Sequence, residues 1–238
     1  MKMDHANSEN IDFDAAPPLK VAEYDNLIAK FVPGYEAIFK LSLAHLSKVL
    51  PQSANVLVVG AGSGKELETF AKAKTGWSLT GVDPSEDMLA LARPKLSTFA
   101  HQVTLHKGIV ETLPETTKFD AATSILVMHF LPDNGAKLEF LRSIAKRLKP
   151  GASFILLDIY GGPDFVREFA PTWIEHGHQM GIPLEIIQKI EKGHAQFHPI
   201  TEERTMELLK EAGFTNARRF YAALVYCGWF AEFGPALG

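Results

Sequence analysis

Residues Val56 to Phe70 read VLVVGAGSGKELETF. An apolar run of strand length breaks into glycines at 60, 62 and 64, then continues as an amphipathic, acidic segment. A strand that turns on glycines into a helix brings backbone N–H groups and a helix N-terminus to one point, a geometry suited to a ligand beyond the carboxyl end of a sheet.

Working outward, the same rhythm repeats. WSLTGVD leads into SEDMLALARPKL, QVTLHKG into a loop, FDAATSILVMHF into GAKLEFLRSIAKRLK, and ASFILLDIY follows a turn at Lys149-Pro150-Gly151. The strands are apolar runs and do not alternate, as a parallel sheet covered on both faces requires. The expectation is a doubly wound, Rossmann-like α/β fold with a mostly parallel sheet. The tail ARRFYAALVYCGWFAEF is rich in β-formers and predicts a C-terminal β-hairpin. Before the first strand, Val21, Tyr24, Leu27, Ile28 and Phe31 recur at helical spacing up to Pro33-Gly34, and Phe39, Leu43, Leu46 and Leu50 resume it until Pro51. That predicts an N-terminal helical cap over 19–51. Residues 1–18 are polar and end in Pro-Pro, which predicts a mobile arm; the sequence leaves open whether it closes over a bound ligand. Residues 19–238 then form a single domain. Within it, 160–200 loses the rhythm, apart from a helix at Leu184 to Glu191, and gathers aromatics and histidines. A last helix follows in TEERTMELLKEAGF, with Thr201 opening an imperfect capping box.

Composition narrows the function. The 238 residues are 46% hydrophobic and carry a net charge of −4, with Lys and Glu mixed throughout. A polyanionic partner is therefore not the first expectation, nucleic acid included. Cys227 is the one cysteine, the start MKMDHANSEN lacks the order of a signal peptide, and no apolar run reaches the roughly 18 residues of a spanning helix. These features lead us to expect a soluble, cytoplasmic protein that does not enter the membrane. The oligomeric state is open, a homodimer included.

Three nucleotide-type ligands compete for the glycine loop. A P-loop needs Ser or Thr after its Gly-Lys pair and a glycine five positions earlier; Glu66 and Val59 stand there instead. The dinucleotide fingerprint needs a third glycine where this chain has Lys65. It remains the weaker alternative, to be read out as NAD-dependent stabilisation. S-adenosylmethionine (SAM) needs a tight backbone turn for its methionine end, a carboxylate for its ribose and an apolar slot for its adenine. Asp83 ends LTGVD about 20 residues after the glycines, the separation that places an acid on a ribose. The plainer reading makes Asp83 a helix N-cap.

Taken in order, GAGSG, VDPSEDML, GIVETLP, FDAATSILVMHFL and LKPGASFILLD resemble the class I SAM-dependent methyltransferases, over most of the chain from Tyr24 to Phe233. YDNLIAKFVPGY is similar to the small branch that includes the carboxy-SAM synthases of wobble-uridine modification in tRNA. The resemblance implies SAM as cofactor. It implies cofactor contacts from Tyr35, Gly60, Ala61, Gly62, Gly64, Asp83, Pro84, Met88, Ile109, Val110, Ser124 and Leu126. Tyr35 is read equally as a packing tyrosine. Two positions depart from the family: Val58 stands where the first strand often has an acid, and Ile109 follows Gly108 where another is common. The position that fixes the extra carboxylate in carboxy-SAM synthases falls, by counting, on Ile190, so ordinary SAM is expected.

Methyl transfer needs no protein nucleophile, and most of its catalysis comes from positioning and desolvation. Asp158 and Tyr160, at the end of the fifth strand, are the candidates for acceptor contact. Phe165, Phe169, Trp173, Phe197, Tyr226 and Trp229 line an aromatic acceptor site or fill a core, and the sequence leaves both open. His129 is expected to be structural; His176, His178, His194 and His198 are further candidates for a base. HGH has the look of a metal pair, but on a helix its histidines point apart, so no metal is expected. The expected function is methyl transfer to a small-molecule acceptor. The alternatives are a tRNA-modifying SAM enzyme and a SAM-binding protein without transferase activity.

Overall fold

The computed structural model describes residues 24–193 and 197–234, with no side-chain description for 190–193. The arm expected over 1–18 lies outside the described residues, as does His194. Helices α1 (Tyr24–Phe31) and α2 (Tyr35–Val49) form the cap. Gly34, at φ 70°, turns one into the other, and Leu50 leaves α2 in an extended conformation because Pro51 follows it.

The sheet has seven strands: β1 (Ala54–Val59), β2 (Trp77–Asp83), β3 (Val103–Lys107), β4 (Phe119–Ile125), β5 (Leu148–Ile159), β6 (Phe214–Ala223) and β7 (Tyr226–Phe233). Their order is β3-β2-β1-β4-β5-β7-β6. β1 to β5 pair in parallel, and the β6–β7 hairpin adds antiparallel to β5. This is the doubly wound sheet with a closing hairpin that the sequence predicts. Helices α3 (Lys65–Ala73), α4 (Glu86–Leu96), α5 (Ala136–Ala145) and α8 (Glu202–Glu211) pack against it. Val56 to Val59 are all buried, as a strand covered on both faces must be.

Three sequence readings change. The turn expected at Lys149-Pro150-Gly151 lies inside β5: the register passes from Phe119↔Leu148 to Ala121↔Ser153, so these residues bulge out where Pro150 has no N–H for the ladder. The N-cap of α4 is Ser85, whose hydroxyl accepts from the Met88 N–H, and not Asp83. The segment 160–200 is mostly helical, with α6 (Gly162–Gln179) before α7 (Leu184–Gly193). Pro163 sits in the first turn of α6, where no N–H is needed, and Val166, Phe169 and Trp173 line its apolar face.

That face docks on the cap. Trp173 is 4.8 Å from Phe31 and 5.5 Å from Tyr226, centroid to centroid. Each such buried aromatic contributes roughly 2–3 kcal/mol by area. Trp173 Nε1 donates to the Phe31 carbonyl, and the Tyr221 hydroxyl of β6 donates to the Pro33 carbonyl. Late parts of the chain therefore hold the first helices in place.

Candidate active site

Strand order reverses between β1 and β4, and ligands of open α/β sheets bind at the carboxyl ends there. The glycine loop occupies that point. The N–H groups of Gly60 and Ala61 donate to the Val82 carbonyl at 2.9 and 3.0 Å, which stitches the loop to the end of β2. Gly62 N–H donates to Asp83 Oδ2 at 2.7 Å, and Asp83 Oδ1 accepts from Ser85 N–H at 2.9 Å. Gly60 has φ 77°, and a Cβ there would lie 2.2 Å from Val127 Cγ2, so no other residue fits. Gly64 turns away: a Cβ on it would press on Ala92 and Leu96, which makes it a packing glycine between α3 and α4.

A cleft open to solvent lies between this loop and the cap. Tyr35, Gly60, Ala61, Gly62 and Leu126 line it, five of the residues named from sequence. Leu126 holds φ 60°, an uncommon conformation for a bulky side chain that concentrates at functional sites. Its N–H is anchored on the Leu157 carbonyl at 2.8 Å. The remaining residues named for the cofactor take other places. Met88 Cε would be 3.5 Å from a Cβ on Gly62, beside the loop, and Pro84 is half-buried next to Asp83. Ile109 is 52% exposed, whereas Val110 is in the core. Ser124 is fully buried, and its hydroxyl has no hydrogen-bond partner among the described residues.

The cleft also holds residues that sequence reasoning missed: Tyr24, Ser63 and Glu66. Asp25 receives both the Ser63 hydroxyl and the Lys95 ammonium, and Lys95 Nζ reaches the Ser63 carbonyl at 3.1 Å, so α1 is strapped across the loop. Burial, aided by Asp83 and Asp25, pushes the Tyr24 phenol up to about 12. Burial also raises Tyr35, with Tyr24 adding to it. Both phenols are neutral at physiological pH. Glu66 is buried as well, and desolvation pushes its carboxyl up to about 7. Thr123 on β4 favours the ionised form, but neither Glu66 Oε1 nor Thr123 Oγ1 finds a partner with hydrogen-bond geometry. The signal available in sequence was a glutamate at the second position of a helix that starts at the glycines.

Asp158 is buried and hydrogen-bonded within the fold. Its Oδ2 accepts from the N–H groups of Met128 and His129 at 2.6 and 3.2 Å, and its Oδ1 accepts from His129 Nδ1 at 2.5 Å and Ile159 N–H at 2.8 Å. The carboxylate is used up in holding a short 3-10 turn at Met128–Phe130 against β5. Lys137 secures the same turn by donating to the Met128 carbonyl at 2.7 Å. His129 is thereby structural, packed against Phe130 and Phe197. Tyr160 is partly buried against Phe165 and Trp229 and does not line the cleft. Of the aromatics, Trp173, Tyr226 and Trp229 are core, whereas Phe165, Phe169 and Phe197 are only partly buried. His176 and His178 both lie on α6, where a spacing of two points them apart.

Residues 56–151 match the family model described as methyltransferase domain. The chain is a SAM-dependent methyltransferase of the class I fold. Over 84% of its length, the methyltransferase is 28% identical to a carboxy-S-adenosyl-L-methionine synthase of Campylobacter curvus, of which the match covers 86%. Its fold is shared with the 1,6-didemethyltoxoflavin-N1-methyltransferase of Burkholderia thailandensis (TM-score 0.60, 22% identity, 92% of this chain and 93% of that one). It is shared also with the magnesium protoporphyrin IX methyltransferase of Synechocystis (TM-score 0.65, 16% identity, 90% and 94%). The cleft suits SAM chemically, with open space at the glycine turn and the buried carboxyl of Glu66 in its lining, while the Asp83 carboxylate lies behind the loop on the Gly62 N–H. No helix among the described residues is long and apolar enough to cross a membrane.

Proposed function

We propose that the methyltransferase acts on a small-molecule acceptor. The observation that carries this reading is the covering of the site. The cap and α6 close over the strand ends and leave Phe165 and Phe169 partly exposed beside Tyr160, with Phe197 partly exposed against His129 and Phe130, aromatic surface for a compact, flat ligand. The net charge of −4 supports the same conclusion. The Burkholderia protein of the same fold methylates, by its name, a small heterocycle.

When bound, SAM supplies a sulfonium-borne methyl carbon, which the acceptor atom attacks in line as the carbon–sulfur bond breaks and its electron pair passes to sulfur. Gly60 to Gly62 offer backbone room for the methionine end, with Tyr35 and Leu126 as walls. Asp83 holds the ribose while it fixes the loop through Gly62. Pro84, Met88 and Ile109 flank the adenine, and the backbone at Val110 closes that side. The Asp25 strap keeps α1 over the loop and excludes water, which strengthens every polar contact within. Tyr160 contacts the acceptor, while Asp158 positions the 128–130 turn.

The test is methyl incorporation from labelled SAM into a library of small hydroxylated, amino and heteroaromatic compounds, with bulk tRNA as a parallel substrate. Label in a small compound, lost in Asp83→Ala and reduced in Tyr160→Phe, is the expected result. The likeness to carboxy-SAM synthases favours one second reading, a role in tRNA modification. That reading requires tRNA affinity that falls steeply with salt, and a flat response from 50 to 200 mM salt removes it.

A further inference from the structure

We infer that Glu66 is the counter-ion for the α-ammonium group of SAM, an inference that rests on the SAM reading of the cleft. Among the described residues that line the cleft, Glu66 is the one carboxylate. It stands at the second position of α3, directly after the glycine turn that receives the amino-acid end. Oε1 is shielded from water, and the Thr123 hydroxyl, which favours its ionised form, does not reach it with hydrogen-bond geometry. Buried polar atoms in native folds are nearly always paired, so an oxygen without a hydrogen-bonded donor, on a side chain that lines the cleft, marks the place of a missing donor. An ammonium brings three N–H donors and a positive charge; the sulfonium of the same molecule brings no N–H and cannot satisfy the oxygen.

Among the described residues, none around it already plays that part. Lys65, on the same helix, is 38% exposed and leans toward Glu36 at 3.9 Å. From α2, Tyr35 presents a neutral phenol, and from β4 Thr123 presents a hydroxyl without hydrogen-bond geometry to it. Tyr24 on α1 is neutral, and Asp25 beside it is matched by Lys95 of α4. Asp83, at the end of β2, accepts from Gly62 and Ser85. A positive group arriving beside Glu66 finds a carboxyl that burial keeps protonated about half the time near pH 7, and it drives the proton off. The N-terminus of α3 favours the resulting carboxylate. SAM binding should therefore release protons and tighten as pH rises through about 7.

The experiment is calorimetric titration of the full chain and Glu66→Gln with SAM, S-adenosylhomocysteine and 5′-methylthioadenosine, which keeps the nucleoside and thioether and lacks the amino-acid end. Repetition in buffers of different ionisation enthalpy measures the protons released. Glutamine keeps the shape of the protonated side chain, and a thermal melt confirms that the variant folds. We expect the two amino-acid-bearing ligands to weaken about 10- to 100-fold in Glu66→Gln. 5′-Methylthioadenosine should hold within twofold, and proton release should vanish. Unchanged SAM affinity, or equal loss of all three ligands, overturns the role of Glu66 while leaving the SAM reading standing. Failure of the unmutated protein to bind any of the three overturns the SAM reading and this inference with it.

Discussion

Asp158 Oδ1 lies 2.5 Å from His129 Nδ1, and both side chains are buried. A carboxylate only accepts, so the imidazole donates from Nδ1. Burial pushes Asp158 up, but His129, Lys137 and the Ile159 N–H outweigh it and hold the group below the usual carboxylate range. Its stabilising contribution is thus present at neutral pH and is lost as pH falls through its lowered folded-state value. Asp158→Asn keeps the shape, removes the charge and offers an NH₂ where acceptors are required. It should cost about 3–5 kcal/mol at pH 7, measured by urea denaturation, with a smaller difference from the parent in strong acid. An unchanged denaturation midpoint at pH 7 contradicts this assignment.

Gly60→Ala places a methyl on Val127 and forces φ 77° on a residue that resists it. We expect loss of SAM binding and about 1–3 kcal/mol of stability. Adding Val127→Ala removes the clash but leaves the dihedral strain, so the double variant should recover stability only in part. Full recovery in a thermal melt would assign the whole effect to the clash.

Asp83 ties Gly62 to Ser85 and, in the proposed site, also holds the ribose. Asp83→Ala should therefore lower the melting temperature of the protein without SAM and also weaken SAM at least about 10-fold, as hydrogen bonds to a charged group are worth about 1.5–3 kcal/mol. Asp83→Asn retains one acceptor oxygen and should fall between. A variant that binds SAM poorly yet melts like the parent would mean the loop does not need this anchor.

The buried carboxyl of Glu66 has a sign opposite to that of Asp158. Its folded value, about 7, is above that of an unfolded glutamate, so the native state binds the extra proton. Stability without SAM should therefore fall as pH rises from about 4.5 to about 7, by up to roughly 3 kcal/mol. Glu66→Gln removes the titration and should melt higher than the parent at pH 8 while matching it near pH 5. Identical melting curves at both pH values contradict a buried, proton-binding Glu66.

Local pattern makes the sheet legible, since the inner parallel strands are short, largely apolar runs punctuated by glycine, proline or an acid, while β3 at the edge, VTLHK, alternates between half-buried and exposed residues. VLVVGAGSG even locates the cleft. What stayed hidden depends on distant parts of the chain. The helix α6 is obscured by Gly161, Gly162, Pro163 and Pro171, and its Phe169 and Trp173 read equally as ligand wall or core until Phe31 is seen against Trp173. Asp158 reads as a ligand at a strand end because nothing local shows the 128–130 turn folding back onto it. Glu66 reads as part of a solvated acidic face, and only the packing of Tyr35 and α2 over the start of α3 buries it.

The ties that hold the cap run almost the length of the chain: Trp173 to Phe31 spans 142 residues and Tyr221 to Pro33 spans 188. During synthesis the cap helices emerge before the partners that fix them. A nascent chain ending before β6 can assemble the central parallel strands and the Trp173 tie but lacks the Tyr221 tie, so the cap is held on one side only until β6 is made. Full cofactor affinity would thus be coupled to the synthesis of β6, so that chains interrupted before it bind SAM more weakly.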